Sequence, residues 1–94
     1  MRIQMVKFGI LLNSRPTARE AALRIRQIVN GSGEKEGIVL DFSGVEILTP
    51  SYADELLDSL RQQYGQDMVA IENAETDTVK DTLKAIEEPE GSTA

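Results

Sequence analysis

The side chains that could do chemistry in this sequence are hydroxyls and carboxylates concentrated between residues 41 and 55. Carboxylates can act as general acids or bases, and a hydroxyl can accept a phosphate group. The sequence has no His and no Cys, which excludes a Ser-His-Asp triad, thiol nucleophiles and thiolate metal sites within it. The adjacent acids Asp54 and Glu55 lack the ligand spacing of a Mg²⁺ or Ca²⁺ loop. We therefore predict no enzymatic activity, no metal and no cofactor.

The charge is divided unevenly along the chain. The 94 residues carry a formal net charge of −6. Residues 1–36 contain seven basic residues and three acidic ones. Residues 37–94 contain three basic residues and thirteen acidic ones. An acidic chain with no Trp is a poor candidate for nucleic-acid binding, because phosphate contacts need clustered basic residues and base stacking needs aromatic ones. The basic first third is typical of a solvated helix face, with anion binding as the alternative.

The hydropathy pattern gives no sign of export or membrane insertion. No apolar run approaches the roughly 18 residues that a membrane span needs. The N-terminus lacks the pattern of a signal peptide, since Arg2 is soon followed by Gln4 and Lys7. We therefore expect a cytoplasmic protein that does not associate with membranes.

Strands and helices alternate along the sequence. Apolar, β-branched runs predict three strands, at residues 3–8, 37–42 and 68–71. Apolar residues at helical spacing predict a helix after each strand. The first helix is predicted to begin at the N-cap Thr17, with Glu20 completing a capping box. The second is predicted to begin at the N-cap Thr49, with Pro50 as its first residue.

The order β-α-β-α-β-α predicts an α/β fold with a mainly parallel sheet. We predict a single domain over residues 1–88 and a flexible tail over residues 89–94. Glu20 and Arg24 are spaced to form an ion pair along the first helix. The apolar stripe of that helix is predicted to comprise Ala18, Ala21, Ala22, Ile25, Ile28 and Val29.

The segment from residue 38 to residue 57 joins a buried strand to the second helix through a tight turn. In open α/β sheets the carboxyl edge of the strands is where function usually lies, and the first N–H groups of a helix attract anions. Ser51 falls at the second helical position. A phosphate on Ser51 would meet those N–H groups and would be repelled by Asp54 and Glu55. Such a phosphate could act as a switch, because it would change the charge of this surface.

Two parts of this segment carry a family resemblance. Asp41-Phe42-Ser43-Gly44-Val45 resembles the STAS family, the domain of anti-sigma-factor antagonists and sulfate-transporter tails. Ser51 then aligns with the serine that is phosphorylated in the antagonists. Ser51-Tyr52-Ala53-Asp54-Glu55-Leu56 is more similar still to a small STAS-like family of unknown function, and Ser14-Arg15 upstream fits it too. The resemblance implies a STAS-like domain.

The same resemblance implies a regulatory module for protein–protein interaction. Its partner would be an ATP-binding serine kinase or an anti-sigma-like regulator. The chain departs from the antagonists at Thr49-Pro50, where they have Asp-Ser, and at Tyr52, where they have Gly, so the surface offered to a kinase differs. The partner contacts implied in this way are Asp41, Ser43, Gly44, Thr49, Ser51, Tyr52, Asp54 and Glu55.

Other interpretations of these residues stay open at this point. Asp41 can cap a turn, and Ser43-Gly44 can be a tight turn without any role in binding. Arg15 is a candidate for holding an anion, or else anchors a loop. The alternative function is a small-ligand sensor that holds a nucleotide or other anion near Arg15 and Ser51. A homodimer is equally compatible with the sequence.

Overall fold

The structure is a computed structural model that describes residues 1–32 and 37–87. Its described part confirms the predicted α/β architecture, with three α-helices and a mainly parallel sheet. The strands are β1 (Arg2–Gln4), β2 (Leu11–Leu12), β3 (Ile38–Asp41), β4 (Ile47–Leu48) and β5 (Val69–Glu72), and the helices are α1 (Arg15–Ser32), α2 (Pro50–Tyr64) and α3 (Asp77–Glu87). The tail predicted over residues 89–94 lies outside the described residues.

The main sheet has three parallel strands in the order β1-β3-β5. The central strand β3 buries Ile38 and Leu40 on one face, whereas Val39 on the other face is partly buried. In register, Leu40 lies beside Ile3 of β1 and Ile71 of β5. Strands β2 and β4 form a separate parallel pair in which Leu12 lies beside Leu48. Because β3 is central, Asp41 lies in the middle of the carboxyl edge of the sheet.

Helix α1 buries most of the apolar stripe that its spacing predicts. Helix α1 packs against α2, and α2 packs against α3. Ile28 is the exception on α1, because 49% of its surface is exposed, so its predicted place in the core is wrong. The helical residues of the core are Ala18, Ala21, Ala22, Ile25, Val29, Tyr52, Ala53, Leu56, Leu57, Leu60, Val79 and Leu83.

The first predicted strand is too long. β1 ends at Gln4, and residues Met5–Phe8 form a 3-10 turn that places Met5 in the core. Gly9 follows with a φ of 133°, a conformation that glycine adopts without a Cβ clash. The chain then becomes extended again as β2.

Helix α1 begins three residues earlier than predicted, because Ser14 rather than Thr17 caps it. The Ser14 Oγ accepts the backbone N–H of Thr17 at 3.4 Å. Pro16 falls in the first turn, where its missing N–H costs no hydrogen bond, so the proline does not delay the helix. The capping box is therefore wrong. The predicted Glu20–Arg24 pair does not form among the ion pairs of the described residues.

Candidate functional site

The carboxylate of Asp41 ties three parts of the chain together. Its Oδ1 accepts the backbone N–H of Ser43 at 2.9 Å and the side-chain amide of Asn73 at 2.9 Å. Its Oδ2 accepts a hydrogen bond from Arg2 at 3.0 Å. The hydrogen bonds from Asn73, Ser43 and Arg2, in that order, lower the pKa of Asp41. The residue is 7% exposed, which favours its interpretation as the anchor of a turn, and its role in partner binding stays a prediction.

The turn after β3 requires its glycine. Gly44 has a φ of +87°, and a Cβ there would lie 3.1 Å from Val6 Cγ2. The backbone N–H of Val45 donates to the carbonyl of Phe42 at 3.0 Å and closes the turn. Ser43 and Gly44 are exposed. The tight turn is therefore present, and the role of these two residues in partner binding stays a prediction.

The start of α2 has the predicted cap. Thr49 is extended at φ −86° and ψ 153°, and its side-chain oxygen accepts the N–H of Tyr52 at 3.4 Å. Pro50 is the first helical residue. Ser51 is exposed in the first turn, and its side chain makes no hydrogen bond within residues 1–32 and 37–87. A hydroxyl placed in this way is accessible to a modifying enzyme.

Arg15 bridges α1 to the acids of α2. One guanidinium nitrogen lies 3.1 Å from Asp54 Oδ2 and 3.4 Å from Glu55 Oε1. Arg19, one turn further along α1, lies 3.3 Å from the other oxygen of Glu55. The hydrogen bonds to Asp54 and then Glu55 raise the pKa of Arg15. Because the carboxylates of the chain already occupy Arg15, its geometry favours the anchoring role over the predicted anion site.

We refer to Ser51, Asp54 and Glu55 together as the acidic start of α2. The structure places these three side chains in the first turns of one helix, on the face that Arg15 and Arg19 approach. No hydrogen bond or ion pair among the described residues joins this cluster to the Ser43-Gly44 turn. The predicted contact residues therefore do not form one connected polar cluster.

The sequence leaves Tyr52 either as an exposed contact or as a residue at the edge of the core, and the structure places it in the core. Its relative exposure is 0%, and it belongs to the hydrophobic core. Its hydroxyl is buried and has no hydrogen-bond partner among the described residues. Burial raises the pKa of Tyr52 to about 12, so the hydroxyl stays protonated at neutral pH. Because the side chain is buried, we do not expect Tyr52 to contact a protein partner directly.

Tyr52 lines a cavity of about 230 Å³ that the sequence did not reveal. Thr17, Ala21 and Arg24 recur on one face of α1 at the spacing that brings helical side chains together, which is the one signal present in the sequence. The sequence could not predict that Lys7 and Phe8 also line the cavity, because they lie in the 3-10 turn, which was predicted to be part of a strand. We call this feature the Tyr52 cavity; its lining residues are Lys7, Phe8, Thr17, Glu20, Ala21, Arg24 and Tyr52.

Within residues 1–32 and 37–87, no three acidic side chains come together as ligands for a metal ion. In the same ranges, no helix combines the length and apolar character needed to cross a membrane.

Comparison with known proteins supplies the family. Residues 21–84 match the family described as the STAS-like domain of unknown function. The matched segment runs from the middle of α1 into α3, and it contains the Asp41 turn and the acidic start of α2. Neither the curated proteins nor the solved structures include one that matches this chain. Because the family match covers more than half of the sequence, the chain belongs to the family of STAS-like domains of unknown function.

Proposed function

We propose that this chain is a regulatory module that binds a protein partner through the acidic start of α2 and carries out no catalysis itself. The observation that supports this function is the exposure of Ser51 in the first turn of a capped helix, beside Asp54 and Glu55. The hydroxyl is accessible and unpaired, whereas the surrounding scaffold is fixed by hydrogen bonds.

Phosphorylation of Ser51 would change this surface by charge. A phosphoserine adds a charge of about −1.5 to −2 and three acceptor oxygens. Ser51 shares a helix face with Asp54 and Glu55, which lie three and four residues further on. The added charge would repel both carboxylates, be stabilised by the first N–H groups of α2, and compete for Arg15. Modification would therefore rearrange the ion pairs between α1 and α2.

The partner we propose is an ATP-binding serine kinase or an anti-sigma-like regulator. The support for this class is the family resemblance of the strand, turn and helix start. Arg15 and Arg19 balance the charges of Asp54 and Glu55, so a phosphate on Ser51 would make this surface negative and favour a partner whose docking surface is basic. Such a surface would respond directly to a change of charge at Ser51.

The test is purification of the tagged full chain from its native host, followed by mass spectrometry of the intact protein and its companions. The proposal predicts a kinase-like or regulatory partner that is retained by the wild type and by Gln63→Glu, and whose recovery changes with Ser51→Asp. Gln63→Glu is the matched control, because it adds one negative charge at an exposed position near the other end of α2. Equal recovery with Ser51→Asp would contradict the switch, and purification of the chain alone would contradict the interaction module.

A small-ligand sensor is the second candidate function. Arg15 does not favour it, because Asp54 and Glu55 occupy that side chain. The Tyr52 cavity does favour it, and neither Asp54 nor Glu55 lines that cavity.

A further inference from the structure

We propose that the Tyr52 cavity binds a small molecule that carries a carboxylate or phosphate group and an apolar body. Its volume of about 230 Å³ is far above the roughly 10–15 Å³ that one water requires. It is slightly below the range of pockets for drug-sized ligands, which begins at about 300 Å³. The cavity therefore suits a small metabolite. This site is distinct from the acidic start of α2 and does not depend on the proposed partner.

The hydroxyl of Tyr52 is the first observation that points to a ligand. It is fully buried and has no partner among the described residues, whereas native proteins satisfy nearly all buried polar atoms. The hydroxyl is protonated at neutral pH, so it can donate a hydrogen bond to an acceptor oxygen. Because the hydroxyl has almost no surface open to the cavity, a ligand oxygen would supply the missing partner after a shift of the ring toward it.

The charges of the cavity are the second observation. Lys7 and Arg24 line it, and neither forms an ion pair with any described residue. Arg15 and Arg19 on the same helix are both paired with acids. Glu20 is the one acid in the lining, so the cavity keeps a formal charge of +1. Two unpaired cations and a hydroxyl donor complement an oxyanion, which an arginine can bind through two parallel hydrogen bonds.

The remaining lining residues determine the rest of the ligand. Phe8 and Ala21 add apolar surface, and the ring of Tyr52 adds more. An aromatic or short aliphatic body would be buried there, with its charged group turned toward Lys7 and Arg24. Phenyl phosphate and benzoate have this form and differ only in the oxyanion. Benzamide has the same ring without the charge and serves as the neutral control.

The experiment measures binding of these three probes to the full chain by thermal shift and by backbone amide NMR. We expect phenyl phosphate or benzoate to raise Tm, with a Kd of roughly 1 mM or tighter, and to shift the amide signals of residues 7, 8, 17, 21, 24 and 52. The probe that binds more tightly identifies phosphate or carboxylate as the natural group. Benzamide is expected to leave Tm unchanged.

Four variants test whether the ligand binds in the cavity. Tyr52→Phe keeps the ring and removes the hydroxyl, and Arg24→Gln removes an exposed cation. Each is expected to weaken binding by about tenfold, or roughly 1.4 kcal/mol. Arg26→Gln removes a cation of α1 that does not line the cavity and should bind as the wild type does. Glu20→Gln should strengthen binding, because it removes the one negative charge of the lining.

Three results would overturn the proposal. The first is an unchanged Tm with both oxyanions, which would mean that water fills the cavity. The second is equal stabilisation by benzamide, which would mean that the charge is not recognised. The third is unaltered binding to both Tyr52→Phe and Arg24→Gln, which would place the ligand elsewhere. Loss of the partner with Ser51→Asp would not bear on these results, since Ser51 is outside the lining.

Discussion

The Asp41 turn and the acidic start of α2 both follow strands, yet their polar groups are in opposite states. At the turn, one carboxylate accepts hydrogen bonds from Ser43, Asn73 and Arg2 and is almost completely buried. At the start of α2, Ser51 is exposed without a partner and the acids are held only by surface ion pairs. Surface pairs contribute little to stability. The first region therefore maintains the fold, whereas the second can exchange partners at little cost to it.

The largest effect that follows from this contrast is on Asp41. Asp41→Ala leaves the amide of Asn73 and the guanidinium of Arg2 without their shared acceptor, and it removes the acceptor of the Ser43 N–H. We expect Tm to fall by about 10 °C. The matched variant Asp54→Ala, which breaks a surface ion pair, should lower Tm by about 3 °C or less. Thermal unfolding followed by circular dichroism measures both values of Tm. Equal decreases in Tm would contradict the difference between the Asp41 turn and the acidic start of α2.

Gly44 is the next most sensitive position. Gly44→Ala places a Cβ 3.1 Å from Val6 Cγ2 at a φ of +87°, and we expect a loss of about 1–2 kcal/mol in the free energy of unfolding. Gly31→Ala is the control, because a Cβ there meets no atom within 4 Å. That change lies within α1 and should stabilise the protein by roughly 0.5–1 kcal/mol. Urea denaturation of the two variants should give shifts of opposite sign; a neutral Gly44→Ala would show that the turn tolerates a side chain.

The cap of α2 should have a smaller effect. Thr49→Ala removes the oxygen that accepts the N–H of Tyr52, and we expect a loss of about 1 kcal/mol. Ser51→Ala, two residues later, removes an exposed hydroxyl and should change stability by about 0.5 kcal/mol or less. Urea denaturation compares the two directly. If Ser51→Ala were the more damaging change, Ser51 would have a structural role that the account does not give it.

The smallest effect we expect is on the free energy of unfolding at acid pH. Hydrogen bonds lower the pKa of Asp41 below its ordinary value of 3.8, so the unfolded chain takes up the proton at a higher pH than the folded chain does. The stability that this carboxylate provides is therefore complete above pH 3.8 and is lost as the pH falls through the folded pKa. Asp41→Asn should remove this part of the pH dependence. Unfolding free energies measured between neutral and acid pH would show parallel curves for the two proteins if Asp41 did not titrate in this way.

The sequence predicted the parts of the fold that depend on local patterns. The order of helices and main strands, the cap at Thr49 and the turn at Ser43-Gly44 all follow from periodicity or from the conformational preferences of single residues. Asp41 as a turn cap was one of two interpretations, and the choice depended on Asn73 and Arg2, which are distant in the sequence. Only the fold brings those donors to the carboxylate.

The errors have the same physical origin. Residues 5–8 alternate like a strand, but they turn inward because Met5 packs in the core. Tyr52 sits in a segment of polar residues, and its orientation toward α1 depends on the packing of two helices. The Tyr52 cavity combines residues from the 3-10 turn, α1 and α2, so its composition could not be read from any one segment. Ser14 rather than Thr17 is the cap, because the helix continues through Pro16 and begins at Arg15.

The measurement that tests the central claim most directly is the affinity of the purified chain for the partner recovered with it, compared among the wild type, Ser51→Asp and Gln63→Glu. The account predicts that Ser51→Asp changes the Kd by tenfold or more, or at least about 1.4 kcal/mol, while Gln63→Glu stays within about twofold of the wild type. Equal affinities for the wild type and Ser51→Asp would contradict it and would remove the acidic start of α2 as the regulated contact surface.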